Sequence, residues 1–88
     1  MNNATLNEWQ NDGIKLTKRY AFPDFVSALA FVNKLGNYAE KMQHHPDIEL
    51  GWGYCVVSWS THDAGAVTDK DIEMSKESDT MFESENNA

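Results

Sequence analysis

Apolar and polar residues alternate along the first third of the chain. Ile14, Leu16, Tyr20 and Phe22 fall at even positions, with Lys15, Thr17 and Arg19 between them. That period of two predicts a half-buried strand. Lys18 interrupts its apolar side, which suits an edge or an interface. Thr5 to Gln10, with Leu6 and Trp9, is a weaker strand candidate. Asn11-Asp12-Gly13 between the two reads as a tight turn, because Asp-Gly tolerates the positive φ that hairpin turns require. The period then changes. Phe25, Ala28, Leu29, Val32, Leu35, Ala39 and Met42 recur at spacings of three and four, widened by Phe31 and Tyr38. This predicts an amphipathic helix from about Asp24 to Gln43. Asp24 is its N-cap, and Pro46 enforces its end, since the residue before proline is driven out of the α region. Ile48, Leu50, Trp52 and Tyr54 alternate at even positions, Cys55, Val57, Trp59 and Thr61 at odd ones. The change of parity places a turn near Trp52 to Cys55 and separates two strands. Thr68-Asp69-Lys70-Asp71 resembles a capping box and opens a second helix with a thin stripe of Ile72, Ser75, Asp79 and Phe82, fraying before Glu83.

The order strand, strand, helix, strand, strand, helix predicts an α+β fold: one two-layer domain, a four-stranded antiparallel sheet with helices on one face. The domain is expected over residues 1–83, followed by an acidic, disordered tail over 84–88.

Charge narrows the function. Fourteen acidic and seven basic residues give a formal net charge of −7. That argues against direct binding to nucleic acid or an anionic membrane, both of which need a basic patch. No apolar run is long enough to span a bilayer. Met1 to Thr5 lacks a charged-then-apolar signal pattern, so the cytoplasm is the expected location. The single cysteine, Cys55, lies within apolar sequence and reads as an inert buried thiol.

The candidate chemistry rests on the three histidines. His44 and His45 precede Pro46 at the exit of the first helix, and His62 follows the last strand in Thr61-His62-Asp63-Ala64-Gly65. Histidine exchanges protons near neutral pH, and a helix exit and a strand end can meet at one edge of the two layers. Three imidazoles there could share general-acid and general-base duties. From spacing alone, a structural role at the helix end stays open, because cations favour helix C-termini. Metal ligation would draw on the three histidines with Asp47 or Asp63, but no helical pair or cysteine pair supports it; no metal is expected.

Glu40-Lys41-Met42-Gln43-His44-His45-Pro46-Asp47, Trp59-Ser60-Thr61-His62-Asp63-Ala64-Gly65 and Val67-Thr68-Asp69-Lys70-Asp71 together resemble the pterin-4a-carbinolamine dehydratase family. That family is also known as the dimerization cofactor of a homeodomain transcription factor. The resemblance extends upstream through Trp9, Arg19, Phe22, Asp24-Phe25, Ala28 and Phe31. It departs at Gly65-Ala66-Val67-Thr68, where members often carry Gly-Gly-Leu-Thr, and at Gln43, where Asp or Asn is common. The resemblance implies dehydration of 4a-hydroxytetrahydropterin to quinonoid dihydropterin, in recycling of the pterin used by aromatic amino acid hydroxylases. No cofactor is implied; the pterin is the substrate. His44 and His62 would be the acid/base residues and His45 would orient the pterin. Pro46, Thr61, Asp63 and Ala64 would line the site, Glu40 would face the same edge, and Asp71 would either join the site or merely cap the second helix. A homodimer or tetramer is implied, with Trp52, Tyr54, Val56 and the second helix as candidate contacts. Two other readings accompany this one: a non-catalytic pterin-binding or dimerization module, and a dehydratase-like protein of molybdenum-cofactor metabolism.

Overall fold

The computed structural model describes residues 8–87. Its elements follow the expected order: β1 (Gln10–Asn11), β2 (Leu16–Ala21), α1 (Phe25–Met42), β3 (Asp47–Gly51), β4 (Tyr54–Trp59) and α2 (Asp69–Asn87). The strands form one antiparallel sheet in the order β1-β2-β4-β3. The strand expected over Thr5–Gln10 shrinks to the two residues of β1; Leu6 lies outside the described residues.

Register decides which side chains enter the core. Leu16 faces Trp59, Lys18 faces Val57 and Tyr20 faces Cys55, while Ile48 and Leu50 of β3 face Val57 and Cys55. Directly opposed residues share a sheet face, so all of these point to one side, and both helices cover it. On α1 the buried residues are Ala28, Phe31, Leu35 and Ala39. The buried stripe is therefore centred on Phe31, and Phe25, Leu29 and Met42 stand at its exposed margin. Phe31 meets Tyr20 and Phe22 at ring-centroid distances of 4.9 and 5.5 Å; burying a ring of this size contributes about 1.5–3 kcal/mol.

Lys18 is buried rather than placed at an edge or interface. Its ammonium lies 2.8 Å from Asp79 on α2, and the same carboxylate accepts from the Tyr20 hydroxyl at 2.7 Å and the Trp9 indole at 3.1 Å. This network pins α2 to β2. Burial and the Asp79 carboxylate raise the Tyr20 phenol far above its ordinary value.

The expected stripe on α2 is corrected in two ways. Ile72 is exposed, and the buried face is made of Asp71, Met74, Ser75, Ser78 and Asp79, a mostly polar set whose groups are hydrogen-bonded. Ser78, for example, donates to the Met74 carbonyl and accepts from the Trp59 indole at 3.0 Å. The helix also does not fray before Glu83 but runs on to Asn87. Phe82 holds its far half against Tyr20 and Phe22, and Glu85 pairs with Lys34 of α1 at 2.9 Å. The expected disordered tail is thus helical over 84–87, and residue 88 lies outside the described residues.

Candidate active site

The end of α1 places the first two histidines. Asp24 caps the helix start by accepting from the Ser27 N–H. At the other end Gln43 adopts a left-handed conformation, φ 56°. Its N–H bonds the Glu40 carbonyl and the His44 N–H bonds the Ala39 carbonyl. This is a Schellman ending, a position that usually takes glycine. Gln43 adds a side-chain bond to the Glu40 carbonyl at 2.7 Å, which helps fix the turn from which His44 and His45 diverge.

His44 turns inward. Its Nε2 lies 2.6 Å from Asp71 Oδ1, and its ring stacks on Trp59 at 5.7 Å with an interplanar angle of 12°. Asp71, in the first turn of α2, is fully buried. Its second oxygen accepts from the Thr61 hydroxyl at 2.7 Å and the Thr68 N–H at 2.9 Å. Burial alone would raise the Asp71 carboxyl; the bonds from His44, the Thr68 N–H and the Thr61 hydroxyl outweigh it and hold the group below its ordinary value. An ionised Asp71 accepts from His44, so neutral His44 carries its proton on Nε2 and leaves Nδ1 as the acceptor.

His45 turns outward and bonds Glu40 at 2.7 Å, a contact that lowers the Glu40 carboxyl. His62 comes from the turn after β4. That turn is closed by a bridge between Thr61 and Ala66, by bonds from the Ala64 and Gly65 N–H groups to the Thr61 carbonyl, and by Gly65 at φ 64°. The His62 side chain is exposed and has no hydrogen-bond partner among the described residues. Thr61 thus ties the His62 turn to the carboxylate that holds His44.

A cavity of about 380 Å³ opens here, lined by Gln43, His44, His45, Thr61, His62, Asp63 and Lys70. All three histidines meet in it. Of the other expected site residues, Thr61 and Asp63 line it, whereas Pro46, Ala64, Glu40 and Asp71 do not. Glu40 stands behind His45 and Asp71 behind His44, and Asp71 also accepts from the Thr68 N–H at the start of α2. Gln43 and Lys70 were not foreseen. Gln43 had a signal, its place beside His44 at the helix exit; Lys70 had none beyond its neighbour Asp71. Among the described residues, no group of three histidine, cysteine or acidic side chains is arranged to hold a metal ion.

Residues 1–81 match the family model described as pterin 4 alpha carbinolamine dehydratase. The chain belongs to the pterin-4a-carbinolamine dehydratase family. A protein of Thermosynechococcus vestitus carrying that dehydratase name provisionally is 41% identical over 73 residues, 83% of this chain and 77% of the relative. Among solved structures, the transcriptional coactivator/pterin dehydratase of Brucella melitensis superposes with a TM-score of 0.81 at 29% identity, covering 89% of this chain and 88% of that one. The family's fold therefore coincides with the α+β architecture described above. A pterin dehydratase-like protein described as a RuBisCO assembly factor of the alpha-carboxysome has a TM-score of 0.75 at 20% identity, covering 92% and 96% of the two chains; that likeness concerns the fold alone. Among the described residues no helix is long and apolar enough to cross a membrane.

Proposed function

We propose that this cavity dehydrates 4a-hydroxytetrahydropterin to quinonoid dihydropterin by proton transfer between histidines. The observation that carries the proposal is the convergence of all three histidines on one cavity, one of them backed by a buried carboxylate. The reaction needs little else. A ring nitrogen pushes its lone pair toward C4a, the C4a–O bond breaks, an acid protonates the departing oxygen to water, and a base removes a ring N–H proton.

The hydrogen bonds around each histidine support a division of these duties. His44 presents Nδ1 with its other nitrogen bound to Asp71. That is the arrangement of a base whose imidazolium, once formed, is stabilised by a carboxylate. His62 has no carboxylate partner and a mobile choice of tautomer, and it delivers the proton to the leaving oxygen. His45, held by Glu40 at the cavity rim, orients the ring. The intact histidine set favours this reading over a non-catalytic binding or dimerization module.

Binding of a stable dihydropterin, followed through the imidazole signals of the three histidines by NMR, tests the site. Shifts at His44, His45 and His62 are expected; signals that stay unmoved at saturating pterin would remove the proposal.

A further inference from the structure

Lys70 and Asp63 line the same cavity, yet no ion pair joins them. Two opposite charges that share a small cavity without neutralising each other are free for a ligand with complementary groups. Lys18 is engaged with Asp79, Lys34 with Glu85, and Arg19 with the Tyr54 ring at 4.8 Å. Lys70, like Lys15, Lys41 and Lys76, has no such partner among the described residues, and of these four it is the one that lines the cavity. Its neighbour Asp71 is committed to His44, Thr61 and Thr68 and forms no ion pair with it. Lys70 also stands in the first turn of α2, where the helix dipole disfavours a cation. In a chain of net charge −7, this is the one permanently positive group among the described residues that line the cavity.

We propose that Lys70 sets substrate choice, and that the preferred pterin carries an anionic group, a phosphate ester, on its side chain. This rests on the pterin reading of the cavity. The amino and N–H edge of a pterin ring is a paired donor that a carboxylate accepts well, so Asp63 would take that edge and Lys70 would be left for an anionic side chain. A volume of about 380 Å³ lies within the range of small-molecule pockets and leaves room beyond a bicyclic ring for a substituent.

The test is calorimetric titration of the full chain with two stable probes: dihydroneopterin, whose side chain is neutral, and dihydroneopterin monophosphate. The wild-type protein is expected to bind the monophosphate roughly tenfold more tightly, the scale of one charge-assisted contact. Added salt should shrink that ratio. Lys70→Gln should bring the ratio close to one, and Lys70→Arg should restore it. A wild-type ratio near one with both probes bound would overturn the role of Lys70 and leave the pterin reading standing. A ratio that survives in Lys70→Gln would do the same. Failure of both probes to bind would overturn the pterin reading and this inference with it. The salt titration uses only the wild-type chain, so the test stands even if a variant fails to fold.

Discussion

The His44 imidazole and the Asp71 carboxylate stand 2.6 Å apart across the junction of α1 and α2, with Asp71 fully buried. Asparagine at position 71 would keep the shape but could offer an N–H to His44 Nε2, reversing the tautomer that frees Nδ1. Asp71→Asn is therefore expected to lower kcat by roughly 10–1000-fold, the range of lost acid–base help, with KM changed far less. Steady-state kinetics across pH checks this; an unchanged kcat in a folded variant would separate Asp71 from the chemistry.

The same carboxylate makes stability depend on acid. Its hydrogen bonds hold the folded-state value below the ordinary one, so the unfolded chain binds the proton more readily. The stabilisation is fully present above the unfolded value of about 3.9 and is lost as pH falls through the lower folded value. Urea midpoints taken from neutral pH down to about pH 2 should fall more steeply in the wild type than in Asp71→Asn.

Asp79 supports a different part of the fold. Removing it leaves Lys18, 5% exposed, without its buried counter-charge and strands the Tyr20 hydroxyl and Trp9 indole. Asp79→Ala is expected to cost about 3–5 kcal/mol by urea denaturation. Lys18→Met should cost less, because Asp79 keeps two donors.

How much of this was legible in the sequence depends on the kind of residue. The first helix showed its cap, its apolar period and its proline stop, and its ends were located closely. The second helix was legible at its start, where Thr68 and Asp71 form a cap, and only in part along its core face. Ser75 and Asp79 fall on the expected stripe and are buried, but Met74 and Ser78 are buried outside it and Ile72 within it is exposed; a face buried through hydrogen bonds leaves little apolar periodicity to read. The burial of Lys18 was hidden for the same reason: its partner lies 61 residues away. The histidines stood out because few other residues exchange protons near neutral pH. The division of labour proposed for them rests on Asp71, whose bond to His44 only the contact between distant segments reveals.

Turnover is expected to survive exhaustive chelation, since the proposed chemistry uses only proton transfer. A stoichiometric metal whose removal abolished turnover, and whose return restored it, would replace the proton-transfer account.

Self-association is a further expectation. Trp52 is 72% exposed at the turn between β3 and β4, and Phe25, Val26 and Leu29 add apolar surface on α1. On α2, Ser75 and Asp79 are buried while Ile72 is exposed and adds to this surface, and Tyr54 and Val56 on the sheet are half-buried. Sedimentation equilibrium at micromolar concentration should give a mass of a dimer or tetramer of the 10.0 kDa chain. A fully active monomer would contradict it.

The most direct measurement is the decay of freshly generated 4a-hydroxytetrahydropterin with and without the protein. Decay is expected to accelerate in proportion to protein concentration. His44→Ala and His62→Ala are each expected to lose roughly 10–1000-fold of that acceleration while remaining folded. Decay at the uncatalysed rate in the presence of the wild-type protein, or full acceleration by both variants, would contradict it.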